Sequence, residues 1–471
     1  MRTRGDGGHR GGERTGGAGR GLSTTVVGGG LAGCEAAWAL AERGVRVTLH
    51  EMRPATRTPA HQTDTLAELV CSNSFKSVET GNAHGLLKAE MRRLGSLVLA
   101  VADTTRVPGG SALAVDRTAF ARGMEQRVAA HPNIIIERDE VTDLPAAGIV
   151  ATGPLTSDRL ATAIAGRLGA ASLAFFDAIA PIVADDSLDH GVLFRASRYG
   201  KGDGDDYLNA PMDEAQYDAF VSALVRADQY EPPHEFDRTP YFEGCLPVEE
   251  MARRGRDTLR FGPMKSVGLT DPRTGRQPFA VVQLRREDRA GQMWNLVGFQ
   301  TRLRTGEQRR VLPLIPGLER AEFLRMGSIH RNSYVNAPAT LSPHLAVRDN
   351  PLLLFAGQIT GVEGYTESAA SGLLAGLNLA RLLAGEPPLI PPATTMLGAL
   401  YHYLAACDPA RFQPMNANFG LLVPLDPPVR DKEKRKTMLV ERALRDMETF
   451  ATGLGSDVRR SAFPVPYSSA T

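Results

Sequence analysis

The chain has 471 residues, 42% of them apolar and 23% charged, which is an ordinary globular composition and enough length for two or three domains with a sizeable core. The formal net charge of +1 excludes a polycation, so any contact with nucleic acid has to use a local patch. No apolar run approaches the roughly 18 residues of a membrane span and no apolar leader opens the chain, so a cytoplasmic protein with no membrane partner is expected.

Residues 1–22 are Gly and Arg with almost nothing apolar. Such a segment cannot bury enough surface to offset its ordering entropy, so a disordered tail is expected, with RNA contact as the other reading. A globular pattern starts at Ser23. Thr24 to Val27 reads as a strand, Leu31 to Arg43 as a helix and Val45 to His50 as a second strand, a βαβ opening. Gly148 to Pro154 and Leu352 to Gly357 read as strands that end in glycine-containing loops. The second of these runs into a small-residue helix from Ser368 to Leu383. From Asp177 to about Val335 the chain is rich in Pro, Gly and Tyr. It carries short alternating stretches there, Phe279 to Leu284 and Trp294 to Phe299, as an inserted strand-rich unit would. Lys432 to Thr449 reads as a final amphipathic helix. There is no internal repeat.

The stretch Val26-Val27-Gly28-Gly29-Gly30-Leu31-Ala32-Gly33 follows a strand and opens a helix. Gly28, Gly30 and Gly33 fit GxGxxG: a tight turn, backbone approach to a pyrophosphate, and close helix–strand packing. Phosphates suit the positive end of the helix that starts at Leu31 and Ala32. Glu51 follows at the distance where a carboxylate takes ribose hydroxyls. FAD is favoured over NAD because the fingerprint opens the fold and a complementary segment returns late. That segment is Ala356-Gly357-Gln358-Ile359-Thr360-Gly361, followed by Ser368-Ala369-Ala370-Ser371-Gly372. A helix start there suits a reduced flavin's negative charge; close helix packing by small residues is the plainer account of the same run. The expected fold class is therefore α/β. A discontinuous FAD-binding Rossmann-like domain (23–176 and 336–471) is interrupted by an inserted mixed α+β domain (177–335).

The four cysteines, Cys34, Cys71, Cys245 and Cys407, form no CxxC pair. Neither a metal site nor a disulfide framework is predicted, and a reducing compartment fits. Cys71 lies in Cys-Ser-Asn-Ser and Cys245 in Glu-Gly-Cys-Leu-Pro, polar or glycine-bearing contexts. Cys34 and Cys407 read as packing residues. From Met251 to Arg310 there are fourteen Arg or Lys against five Asp or Glu, a local net of +9 (14 − 5). Tyr241, Phe261, Trp294 and Phe299 are interleaved or adjacent. Charge with stacking surface is an RNA footprint, and Arg253, Arg254 and Arg256 are its candidate residues; a solvated basic face is the bland reading. His330 and Arg331 are candidates for a folate or flavin contact or for a structural role.

Several stretches together resemble the bacterial folate- and FAD-dependent tRNA uracil-5 methyltransferases, relatives of the glucose-inhibited-division flavoproteins. They include Gly28 to Gly33, Glu51-Met52-Arg53-Pro54, Glu68 to Ser74, Gly85-Leu86-Leu87-Lys88, Phe242 to Pro247, Val297 to Thr301, Gly361 to Tyr365 and Gln413 to Gly420. The resemblance runs from about Thr24 to about Arg445. Cys34 stands where serine is expected, and the Gly/Arg tail is extra. The resemblance implies methylation of tRNA uridine 54 at carbon 5. Methylenetetrahydrofolate would be the carbon donor, FAD the reductant and NAD(P)H its source of electrons. It also makes Cys71 and Cys245 catalytic candidates, since a thiolate adding at carbon 6 activates carbon 5. Cys245 is expected to add and Cys71 to assist removal of the carbon 5 proton; exchanged roles are the alternative. A flavin oxidoreductase of a small molecule and a tRNA-binding flavoprotein without methylation are the competing functions.

Overall fold

Six strands form the sheet that carries the fingerprint, in the order Ala346–Val347, Asn350–Phe355, Gly148–Val150, Ser23–Val27, Arg46–His50, Ile134–Glu137. All pairings in it are parallel except that of the edge strand Ala346–Val347. The computed structural model describes residues 21–58, 60–169, 173–230 and 246–454, without the side chains of 173–179 and 328–333. The Gly/Arg-rich tail lies almost wholly outside these residues.

The expected βαβ opening is present as Ser23–Val27, Leu31–Ala41 and Arg46–His50. The late strand Asn350–Phe355 pairs with Gly148–Val150, Phe355 standing opposite Val150, which in turn stands opposite Val27. Gly28, Ala151 and Ala356 therefore leave the sheet at one level. Three loops meet at the carboxyl edge of a parallel sheet, where ligands of such folds bind.

The fingerprint helix Leu31–Ala41 is buried almost all round, so it lacks the apolar stripe of a surface helix. It packs against the return helix Tyr365–Leu383 through small residues. A Cβ on Gly372 would lie 2.2 Å from the Ala32 carbonyl oxygen, and one on Gly376 would lie 2.6 Å from that of Ala36. The small-residue run thus does serve close helix packing. The return helix starts one turn earlier than its Ser/Ala pattern predicts, at Tyr365, because the polar first turn Tyr365-Thr366-Glu367 is tied down by tertiary partners described below.

A second, antiparallel sheet has the order Phe194–Arg195, Tyr207–Met212, Ala280–Arg286, Met293–Leu296, Ile182–Ala184, Phe323–Arg325. Its alternating strands were legible in the sequence, though the second ends at Leu296 because Gly298 turns at φ 78°. The helix Glu214–Arg226, opened by an Asp213–Gln216 capping box, packs on it. Two apolar cores result. One draws on residues from Val26 to Ile164 and from Tyr334 to Met447, the other on residues from Val183 to Leu318. The chain passes between them along the antiparallel pair Leu173–Ile179 and Ser328–Tyr334. The amphipathic helix expected near the end spans Lys432–Gly453.

Gly372→Ala is expected to cost about 3 kcal/mol, because the added methyl meets backbone that cannot swing aside. Denaturant unfolding measures it, and an unchanged midpoint would remove the packing argument.

Candidate active site

The fingerprint glycines differ in what holds them. A Cβ on Gly28 would meet the Ala151 carbonyl at 2.7 Å, one on Gly29 would meet Leu66 at 2.5 Å, and one on Gly33 would meet the Gly28 carbonyl at 1.8 Å. Gly30 is different: nothing of the protein lies within 4 Å of its Cβ position, and its φ of −76° suits any residue. Neither conformation nor packing requires glycine there. The requirement fits a ligand that approaches the backbone over the first helical turn, whose N–H groups have no intrahelical acceptors.

The cleft in front of Gly30 measures about 90 Å³ and is lined also by Glu51, Arg53, His61, Glu140 and Thr156. Glu51 is buried at the end of its strand and accepts from the Gly29 N–H at 3.1 Å. Arg53 donates to both its oxygens, at 2.8 and 3.0 Å, and also to Glu68 at 2.8 Å. Burial opposes ionisation of Glu51, but the hydrogen bonds and charge of Arg53 outweigh it and hold the carboxyl below its ordinary range.

At the same sheet edge the loop after Phe355 turns at Gly357 (φ 81°) and Gly361 (φ 90°). The Gly357 N–H donates to Ser371 Oγ at 2.7 Å, and the Gln358 amide donates to Glu363 at 2.6 Å. A Cβ on Gly361 would strike the Phe412 ring at 2.4 Å.

Cys71 is held at the start of the return helix. The backbone N–H groups of Cys71 and Ser72 both donate to the Tyr365 hydroxyl, at 2.7 and 3.1 Å. Burial, then the charge of the Cys71 thiolate, push the Tyr365 phenol up, against the pull of Arg117. It stays a neutral, fixed anchor. Arg117 donates to the Leu69 carbonyl and pairs with Glu287 of the second sheet's hairpin at 3.0 Å. Arg117 and Arg325 both feel the charge that a Cys71 thiolate would carry.

Beside this clamp Glu367 is buried and accepts from His84 Nδ1 at 3.0 Å and from the Ala417 N–H at 2.9 Å. Lys88, also buried, donates to the carbonyls of Ser77 and His84 at 2.9 and 3.0 Å. Burial, opposed by Glu367, brings its amine down to about 7, so its charge changes near neutral pH.

The profile described as Glucose inhibited division protein A matches residues 23–387. The chain belongs to that family. Within it, the methylenetetrahydrofolate–tRNA-(uracil-5-)-methyltransferase TrmFO of Geobacter sulfurreducens is 58% identical over 428 residues, covering 90% of this chain and 98% of that protein. The protein of the same name from Pelotomaculum thermopropionicum is 56% identical over 432 residues, 91% of this chain and 98% of that one. The chain is thus a methyltransferase of this branch of the glucose-inhibited-division family. Aquifex aeolicus GidA in its form I crystal superposes with a TM-score of 0.68 at 17% identity, covering 94% of this chain and 78% of that one. That likeness speaks to the fold.

Within this family member the structure brings Gly28 to Gly33, Glu51, Gly357, Gln358 and Gly361 to one sheet edge, and holds Cys71 at the start of the return helix. Cys245 lies outside the described residues. Cys34 is fully buried and donates to the Gly29 carbonyl at 3.3 Å; burial pushes its thiol up, so it is inert packing as expected. Cys407 is half-buried beyond the helix Met396–Ala406. Arg253 and Arg256 are exposed but engaged, the first with Glu250 at 2.7 Å, the second with Asp218 and Glu214 at 2.7 and 2.8 Å; Arg254 is exposed as well. The side chains of His330 and Arg331 are not described. Residue patterns missed Tyr365, Arg117, Glu287 and the Arg53–Glu68 pair. Only Arg53 had a local signal, its position two residues after Glu51. Among the described residues no group of His, Cys, Asp and Glu is arranged to hold a metal, and no helix is long and apolar enough to cross a membrane.

Burial raises the Glu367 carboxyl, but the His84 hydrogen bond, the Lys76 and His84 charges and the Ala417 N–H outweigh it and take it from 4.5 to about 2. A depressed carboxyl adds stability that is complete above its unfolded pKa and is lost as pH falls toward the folded one. Relative to Glu367→Gln, the wild type should therefore lose about 3 kcal/mol between pH 5 and pH 2. Urea unfolding of both proteins across that range tests it; parallel stability curves would show that Glu367 is not held ionised.

Proposed function

We propose that this methyltransferase acts on carbon 5 of uridine 54 in the tRNA T-loop, taking a one-carbon unit from methylenetetrahydrofolate and working in the cytoplasm. We assign FAD to the sheet edge. Gly28, Gly29, Gly30, Leu31, Ala32 and Gly33 face its pyrophosphate, Glu51 its ribose, and Gly357, Gln358 and Gly361 its ring end. The observation that carries this reading is Gly30, a glycine required by neither backbone nor packing, which lines the cleft at the sheet edge. FAD, when bound and reduced by NAD(P)H, supplies the two electrons that bring a formaldehyde-level carbon to a methyl group.

The chain's own residues then divide the remaining work. The Cys245 thiolate adds to carbon 6, forming a C–S bond and placing an electron pair on carbon 5. That carbon attacks the donor carbon, whose bond to its carrier nitrogen breaks with the electron pair going to the nitrogen. The carbon 5 proton leaves with the help of Cys71, the two electrons reduce the transferred carbon to methyl, and the C–S bond breaks to restore the ring and release the Cys245 thiolate. Tyr365 acts through Cys71 by fixing its backbone and is a positioning residue. The RNA surface is assigned to the second unit, including Arg253, Arg254 and Arg256. The domain boundaries proposed with it are 23–176 and 336–471 for the flavin part, and 177–335 for the inserted part.

Two experiments test the proposal. Purified protein should show a flavin spectrum, and Gly30→Val should fold with the melting profile of the flavin-free wild type yet fail to take up flavin, since its side chain points into open cleft. A wild type that cannot be loaded with FAD would end the assignment. An RNA minihelix carrying 5-fluorouridine should form a covalent adduct, because fluorine does not leave as a proton does. Cys245→Ala should abolish the adduct, whereas Cys71→Ala should form it and fail to methylate ordinary tRNA. The reverse pattern would exchange the two roles, and methylation by both variants would rule out thiol catalysis.

A further inference from the structure

Several arginines of the basic stretch are answered by acids close by. Arg256 has Asp218 and Glu214, Arg273 has Asp271 at 2.8 Å, and Arg310 has Glu307. One place is different. Arg253, Arg302 and Arg304 converge with Asp228 and Gln229 on an open polar cleft of about 450 Å³. Arg253 and Arg302 share a single carboxylate oxygen of Glu250, each at 2.7 Å. Three guanidinium groups thus line one cleft beside the carboxylates of Glu250 and Asp228.

Gln229 supplies the second observation. Its amide nitrogen and oxygen are both buried without a hydrogen-bond partner, although its backbone carbonyl accepts from Arg304 Nε at 3.4 Å. A buried amide is costly when both its donor and its acceptor go unmet. A ligand that offers an acceptor and a donor side by side would satisfy it.

The place of the cleft is equally specific. The Tyr230 N–H donates to the Arg302 carbonyl at 2.9 Å, Gln229 bridges Leu303, and the Val248 N–H donates to the Gln300 carbonyl at 2.7 Å. Residues 300–303 therefore tether the chain on both sides of the stretch that carries Cys245. Buried Glu249 fixes this tether by accepting from Thr301 Oγ1 and the Arg302 N–H, both at 2.8 Å.

We propose that the cleft formed by Gln229, Arg253, Arg302 and Arg304 binds the ribose-phosphate backbone of the RNA substrate. The inference rests on the tRNA methyltransferase reading above. The guanidinium forks match phosphate oxygens. The Gln229 amide donates to a phosphate oxygen and accepts from the adjacent 2′-hydroxyl, the group that distinguishes RNA from DNA. Backbone held here is held at the base of the Cys245-bearing segment, which orients a target base without reading sequence.

The test is the affinity of the full-length, FAD-loaded protein for an unmodified tRNA transcript, measured across salt concentrations. The double variant Arg302→Gln/Arg304→Gln should make the log–log salt slope shallower by about 1.5, the release expected for two lost phosphate contacts. Gln229→Met should weaken binding about fivefold with the wild-type slope, because it removes no charge. Arg273→Gln, in an ion pair outside the cleft, should leave both slope and affinity unchanged. If the double variant loses its flavin, Arg304→Gln alone replaces it, with half the slope change. An unaltered slope in the arginine variants, or an equal change in Arg273→Gln, overturns the cleft assignment while tRNA methylation by the wild type still stands. A wild type that binds no tRNA overturns the underlying reading as well.

Discussion

The parallel pairing of Asn350–Phe355 with Gly148–Val150 is the constraint on which the rest of the site depends. It brings a strand from the last third of the chain into the sheet opened by the fingerprint and sets Val27, Val150 and Phe355 in one register. Without it the fingerprint loop would have no facing loop, and the return helix would have no fixed start. The pairing is secured from behind by the contact of two helices that approach more closely than side chains allow. Gly372 and Gly376 lie against the Ala32 and Ala36 carbonyls. Dense packing of this kind gains many small dispersion contacts and tolerates little change in volume.

The second constraint is how the two apolar cores are joined. Asn73 donates to the carbonyls of Val115 and Arg286, at 2.9 and 2.7 Å, and accepts from Arg285 at 2.9 Å. Arg117 and Glu287 add a buried ion pair beside it. Removing one partner of such a pair leaves an uncompensated buried charge, which makes the junction specific as well as attractive. Cys71 sits two residues before Asn73. Its position is therefore set jointly by the return helix, through Tyr365, and by the hairpin of the second sheet, through Arg117.

The charge pattern of the second unit shows why net charge and binding surface are different quantities. The excess of basic residues between Met251 and Arg310 is real, yet much of it is spent locally on Asp218, Glu214, Asp271 and Glu307. Exposed pairs of this type contribute little to stability, but they reduce the field available to a phosphate. Three of the unit's arginines converge instead where the chain leaves toward Cys245 and returns from it.

The sequence by itself determined the elements whose signals are local. The βαβ opening, the GxGxxG spacing, Glu51, the alternating strands and the final helix follow from periodicity, glycine placement and turn chemistry, which act over a few residues. The packing role of Cys34 was legible for the same reason, since it lies on a helix with no polar face. Tertiary structure alone decided which glycine faces open cleft and which faces its own protein, because the four fingerprint positions are identical in composition and differ only in what stands opposite. It also decided that Tyr365 anchors Cys71, that Arg117 reaches Glu287, and that Arg256 is answered by Asp218 while Arg302 and Arg304 gather beside Gln229. Each of these is a contact between residues far apart in the chain, set by strand register and helix approach, and no local pattern encodes which distant side chain will be the partner.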